Sequence, residues 1–358
     1  MTSKERIKLC VEMKPVDRLP FWPKLNESNQ RRWGKPVGAL HDYIGSDRAA
    51  GISPSYKEIR KNTRYEEHNE GHERRSSFIT PAGTLTMTQH FNPDSCAWHP
   101  TEYPIKTKQD MEIMTCWYKD AEPVYDKERA ETAKKRYENM GGGAFVFDSQ
   151  GTSALMYFIE WLAGTEQGHY LLADYPGETE ALFDEIHKTI LKRFEVSAEH
   201  SPADMLFLSE NTSTRLISPG QYKKYCFPHL KAYGEIAEKS GRTVMLHMCG
   251  HLKQLLPELN KLPASIAAFE AFTPPTVGDT TLYEGRINCP ERCLLGGTSA
   301  VVWMWTAKEI IAYLEESLAV LPHHRGIVLS SAGVMPPACS PETIKEVKDW
   351  LNGYIIRN

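Results

Sequence analysis

The sequence predicts an α/β chain folded as a (β/α)8 TIM barrel, with a cap region inserted near its N-terminus. Three observations point there. Short apolar runs recur along the 358 residues, most followed by a polar loop and then a helical pattern. Strands alternating with helices in this way build βα units and a parallel sheet. About seven runs share the chain with no Pro/Gly-rich linker between them, which favours one barrel over two domains. Polar residues also follow the runs, as expected where a site forms at the C-terminal ends of barrel strands.

The first run covers 19–22, and Lys24 and Asn26 follow it. The run 144–147 leads into Asp148, and 205–208 leads into Glu210 and Asn211. Residues 244–246 end in His247 and Cys249, and 266–269 end in Glu270. The runs 294–295 and 327–329 complete the set. Helical periodicity covers 178–200, 219–240, 252–260, 308–320 and 341–352. Ser218-Pro219, Thr306 and Ser340-Pro341 place hydroxyls at N-caps, two of them with proline at the first helical position. A barrel needs one more strand, expected within 76–89. Residues 42–142 fit the alternation poorly, being polar, aromatic and loop-rich, with Tyr65, His68, His72, His90, Trp98, His99 and Trp117. They predict a cap or lid over the barrel mouth, within a single domain spanning 1–358.

Composition narrows the function classes. Apolar residues make up 41 % and charged residues 25 %, enough apolar surface to offset the entropy of ordering the chain. Lys and Arg number 42 against 46 Asp and Glu, a net charge of −4. A nucleic-acid binder held by phosphate contacts would show a basic excess. No apolar run approaches the roughly 18 residues of a membrane span, and the charged N-terminal stretch lacks a signal-peptide core. The expectation is a cytoplasmic protein, in whose reducing compartment the eight scattered cysteines stay free thiols.

The sharpest local feature is Val244-Met245-Leu246-His247-Met248-Cys249-Gly250. A strand ends in His-x-Cys, and at period two both side chains leave on one face. Imidazole and thiolate are both zinc ligands. One pair is not a site, however, and taken without context a buried histidine and cysteine is the default reading.

The chain resembles the uroporphyrinogen decarboxylase superfamily, and within it the corrinoid-dependent methyltransferase branch. The resemblance runs from Pro15-Val16-Asp17-Arg18-Leu19-Pro20-Phe21-Trp22 to the last helix. Gly83-Thr84-Leu85, Leu216-Ile217-Ser218-Pro219, His247-Met248-Cys249-Gly250, 274–280 and Gly296-Gly297 carry it, in order and suitably spaced. The porphyrinogen decarboxylases share an early Arg-Gln-Ala-Gly-Arg segment that meets substrate carboxylates. Here that stretch reads Phe21-Trp22-Pro23-Lys24-Leu25-Asn26-Glu27, with neither arginine. A polycarboxylate macrocycle needs cationic partners, so decarboxylation is the weaker alternative.

What the resemblance implies is a zinc-containing methyltransferase with His247 and Cys249 as metal ligands. The branch pattern ends in a third cysteine after the last strand, and this chain has Gly333 there, with Cys339 six residues on. Glu270, Cys339 and Glu210, in that order, are the candidates to complete the shell. A carboxylate in place of a thiolate leaves a harder metal and a stronger Lewis acid. That tilts the expected chemistry toward cleaving a methyl ether, on a methoxylated aromatic, and away from methylating a thiol. The acceptor implied is the cob(I)alamin of a separate corrinoid protein, because the chain has no Asp-x-His-x-x-Gly corrinoid motif. It would then be the demethylating component of an O-demethylase of anaerobic one-carbon metabolism, the alternative being a methylcobalamin:thiol methyltransferase. Glu210 and Asp148 are candidates for catalytic work, Asp148 by orienting substrate or a zinc ligand. Lys24, Asn26, Tyr157, Trp161 and Trp303 are candidates to bind the substrate, the first two at a phenolic oxygen. Asp279 is expected to fix the shape of a loop beside the site.

Overall fold

A computed structural model describes residues 1–357. Eight parallel strands form one sheet: β1 (Phe21–Trp22), β2 (Ala49–Ile52), β3 (Phe145–Gly151), β4 (Met205–Ser209), β5 (Val244–His247), β6 (Ala268–Phe272), β7 (Cys293–Gly297) and β8 (Ile327–Ser330). Their order, β1-β8-β7-β6-β5-β4-β3-β2, is that of a nearly closed (β/α)8 barrel. Alternation sorts the side chains. Trp22, Phe145, Met205, Met245, Ala268, Cys293, Leu295 and Val328 fill the lumen. The helix Ser3–Val11 closes its base with Ile7, Cys10 and Val11. Helices opened by Ser218, Thr306 and Ser340 are capped as the sequence predicts, each hydroxyl accepting a backbone N–H.

The eighth strand is Ala49–Ile52, and the expectation of a strand within 76–89 as part of the barrel is corrected. Ala-Ala-Gly-Ile holds one large apolar side chain, too little for a hydrophobic-run reading. Residues 76–89 instead belong to a four-stranded antiparallel sheet of Arg64–Glu70, Glu73–Thr80, Gly83–Asn92 and Ala97–Glu102. This sheet packs on the helix Lys108–Lys119, with Phe78 edge-on to Trp117 at 5.2 Å between ring centres. Because β2 and the helix Lys127–Met140 pack into the barrel wall, the excursion is narrower than 42–142. It leaves and returns through the paired strands Tyr56–Ile59 and Glu122–Tyr125.

The barrel has a seam. Strand β1 is two residues long and bracketed by Pro20 and Pro23, which have no N–H for a ladder. It pairs with β8, while β2 pairs with β3. At the seam's base the Asp47 N–H donates to Phe21 O at 2.8 Å. The fully buried Asp47 carboxylate accepts from Phe21 N at 2.9 Å and pairs with Arg6 and Arg18.

Candidate active site

The strand ends at the barrel mouth hold unusual backbone. Of the five non-glycine residues with positive φ, Asn211, Ala271 and Ala332 follow β4, lie in β6 and follow β8. Such conformations cost about 1–3 kcal/mol each and persist where surroundings over-determine them, often at functional sites.

His247 and Glu270 are direct register partners on β5 and β6. Their side chains therefore leave on the lumen face side by side, the His247 ring 6.0 Å from Phe207. His247 Nδ1 hydrogen-bonds Glu270 Oε2. The other carboxylate oxygen, Oε1, pairs with the Lys24 ammonium, which arrives from the loop after β1. Burial opposes charge on His247, but Glu270 and Cys249 outweigh it and raise its pKa to about 9. Burial likewise opposes charge on Glu270, and Lys24 and His247 reverse that and hold it below the ordinary carboxylate range.

Cys249 donates through Sγ to Asn211 Oδ1 at 3.6 Å, and Asn211 Nδ2 donates to Glu160 Oε1 at 2.8 Å. Glu160 and Trp161 lie on a π-helical turn, Phe158–Leu162, a local geometry frequent at functional sites. Gly250 is required here, because a Cβ would lie 2.2 Å from Ser213 and 2.7 Å from Thr212 O. Two cavities flank the group. One, about 490 Å³, meets Lys24 and Glu270 and runs along the β1/β2 seam. The other, about 520 Å³, lies under the cap residues His99, Pro100 and Tyr103 and exposes Cys249, Asn211, Glu160 and Trp161.

The structure thus brings together His247, Cys249, Glu270 and Lys24, and sets Trp161 at the cap-side cavity. Asn26 lines the seam cavity, but its Oδ1 caps the helix Glu27–Trp33 and its Nδ2 reaches Ser95 O at 3.4 Å. Other expectations are corrected. Asp148 shares the outward face of β3 with Val146 and lies among Ser197, Ser201 and Gln150, where burial raises its pKa to about 6. Glu210 is fully buried, with Thr152 Oγ1 at 2.5 Å, Ser153 N at 2.7 Å and the Ser153 hydroxyl all donating to it. Burial raises it to about 7. Its carboxylate braces the loop after β3, and its only bond to His247 is through the backbone, Glu210 N donating to His247 O at 3.0 Å. Cys339 sits in the apolar core, its thiol pushed up to about 12 by burial and turned to Ser340 O at 3.7 Å. Trp303 is buried, stacked on Phe21 at 5.6 Å and donating to Thr298 Oγ1 at 2.9 Å. Tyr157 points into the helix layer beside Tyr118 and Arg193. Asp279 accepts from Leu252 N at 2.7 Å and Lys253 N at 3.1 Å, which pins its loop to the segment after β5.

Sequence reading missed Glu160 and the aromatic pair Phe147 and Phe207 that walls the seam cavity. Glu160 sits in an otherwise apolar helical stretch, 154–163, that reads as core packing, so no signal marked it. Asn211 did follow a strand end, a visible signal. Among the described residues no three His, Cys, Asp or Glu side chains stand in metal-holding geometry, because His247 Nδ1 is turned directly onto Glu270. The chemistry of the donor set nonetheless fits zinc: an imidazole that touches a carboxylate on one side and a thiol on the other, with a cavity on either side for a further ligand.

No curated protein sequence matches the chain. Among solved structures, a B12-independent methionine synthase from Shewanella sp. W3-18-1, in complex with selenomethionine, is 12 % identical over 75 % of this chain and 74 % of that one, with a TM-score of 0.46. A Listeria monocytogenes protein assigned as a vitamin-B12-independent methionine synthase is 11 % identical over 94 % of both chains, with a TM-score of 0.40. The family profile for uroporphyrinogen decarboxylase (URO-D) matches residues 153–354, more than half the chain and all of the strand ends from β4 to β8. The chain belongs to the uroporphyrinogen decarboxylase (URO-D) family.

Proposed function

We propose that this chain is a zinc-dependent methyltransferase that moves a methyl group from a methyl ether to the cob(I)alamin of a separate corrinoid protein. The observation that carries this reading is the contact of His247 with Glu270 and Cys249 at the ends of adjacent strands β5 and β6. His247, Cys249 and Glu270 would hold the metal. When bound, zinc supplies a Lewis acid for the ether oxygen as the C–O bond breaks.

The chain's own residues set the stage for that step. Lys24 fixes one Glu270 oxygen and leaves the other to His247. Asn211, held by Glu160, orients the Cys249 thiol. His99, Pro100 and Tyr103 line the cavity beside Cys249, and water shut out there would strengthen the charge interactions inside. Two findings favour this over the alternatives within the fold. Cys339 is committed to the apolar core, so a thiolate-rich shell suited to a thiol substrate has no second sulfur beside Cys249. The seam cavity's one guanidinium, Arg48, is paired with Asp42, which leaves a macrocyclic polycarboxylate without a free guanidinium partner.

The test is an anaerobic assay with zinc-loaded protein, a reduced corrinoid protein and a panel of methoxylated compounds. Methylation of the corrinoid, read from its visible spectrum and abolished in Cys249→Ala, is the expected result. No methylation from any methoxy compound would overturn the reading.

A further inference from the structure

We propose that the β1/β2 seam is the chamber for the methyl donor, which enters sideways through the barrel wall. The proposed occupant is a flat, single-ring molecule carrying one anionic oxygen. This rests on the methyl-transfer reading above and names the substrate class for that same site.

The chamber follows from sequence. Pro23 ends β1 before it can pair with β2, and Ala49, Ala50 and Gly51 leave the facing edge without bulk. A Cβ on Gly51 would sit 3.3 Å from the Phe147 ring, so even one methyl there would narrow the slot. The result is a cavity of about 490 Å³, within the range of small-molecule sites. It reaches from Glu270 and Lys24 at its inner end to Val37 and Gly38 at the outer surface.

Its walls select shape and charge. Trp22, Phe147 and Phe207 form an aromatic row, with ring centres 6.3 Å and 4.9 Å apart, which suits a planar ring. Lys24 has three N–H donors and places one on Glu270. The others remain for an oxygen of the occupant. The cap-side cavity offers the opposite environment, with the Glu160 carboxylate and no Lys or Arg. An anionic donor is therefore favoured in the seam and repelled under the cap, which leaves the cap side for the methyl acceptor.

Isothermal titration of the full chain with 4-methoxybenzoate and with uncharged methoxybenzene tests this, zinc content being measured on the same samples. Gly38→Phe is the obstructing variant. Gly38 lies in the helix Val37–Ile44, and a Cβ there meets only Arg48 Nη1 at 3.9 Å, so the larger side chain folds without backbone strain. Saturable binding of 4-methoxybenzoate is expected, weakened at least 10-fold in Gly38→Phe at unchanged zinc content. Lys24→Met should reduce the benzoate to the affinity of methoxybenzene, while Leu216→Ala, on the cap-side cavity, should bind it like wild type. Equal binding by Gly38→Phe, loss of binding in Leu216→Ala, or binding of neither probe by wild type would overturn the proposal. A wild type without zinc or methyl transfer that still shows this pattern would sink the methyl-transfer reading and leave the chamber standing.

Discussion

Glu210 and Cys339 show how a site-like residue type becomes a structural one. Glu210 follows a strand end, as a catalytic carboxylate would, yet its oxygens are taken by Thr152 and Ser153. Glu210→Ala leaves those buried donors without a partner, so a loss of about 1–3 kcal/mol in urea unfolding is expected, with zinc content unchanged. Cys339→Ala should lose about 1 kcal/mol of apolar burial and also keep its zinc. Asp47 is different again, since its carboxylate is buried between two arginines. Asp47→Ala leaves Arg18 without a carboxylate while Arg6 keeps Asp17, and about 3 kcal/mol of stability should disappear in the same measurement.

At the scale of elements, the helices Pro176–His200 and Phe227–Lys239 meet through stacked imidazoles, His187 and His229, with ring centres 3.9 Å apart. Burial lowers His187 to about 4, and burial with His187 as neighbour lowers His229 to about 3. His229 Nδ1 accepts from Ala154 N at 3.3 Å, which requires the neutral ring. Unfolded histidines take up protons near pH 6.5. Between that pH and about 4 the unfolded chain binds more protons than the folded one, so this contribution is full above pH 6.5 and falls as pH drops. The melting temperature should be a few degrees lower at pH 5 than at pH 7, and His229→Gln, which keeps an acceptor for Ala154, should flatten that slope. The same scale explains what the sequence made legible. Seven barrel strands announced themselves because each buries large apolar side chains. The eighth, Ala49–Ile52, is built of small residues beside an open seam, and the antiparallel cap sheet mimics it with stronger β-formers. His247, Cys249 and Glu270 were legible because each closes or follows an apolar run in the sequence. Glu160 and the aromatic wall were not, since their meeting depends on a π-helical turn and on barrel closure.

For the whole molecule, the barrel and cap divide the labour. No helix among the described residues is long and apolar enough to cross a membrane. The barrel sets His247 against Glu270 and Cys249, and the cap and the seam leave two cavities on either side of them. Everything proposed about chemistry depends on those three side chains acting together on one metal ion. Metal analysis of the purified wild type beside His247→Ala, Cys249→Ala, Glu270→Ala and Cys339→Ala tests that most directly. One equivalent of zinc in wild type and in Cys339→Ala, with loss in the other three, is the predicted result. A wild type without zinc, or one that loses it in Cys339→Ala but keeps it in Glu270→Ala, would contradict the account.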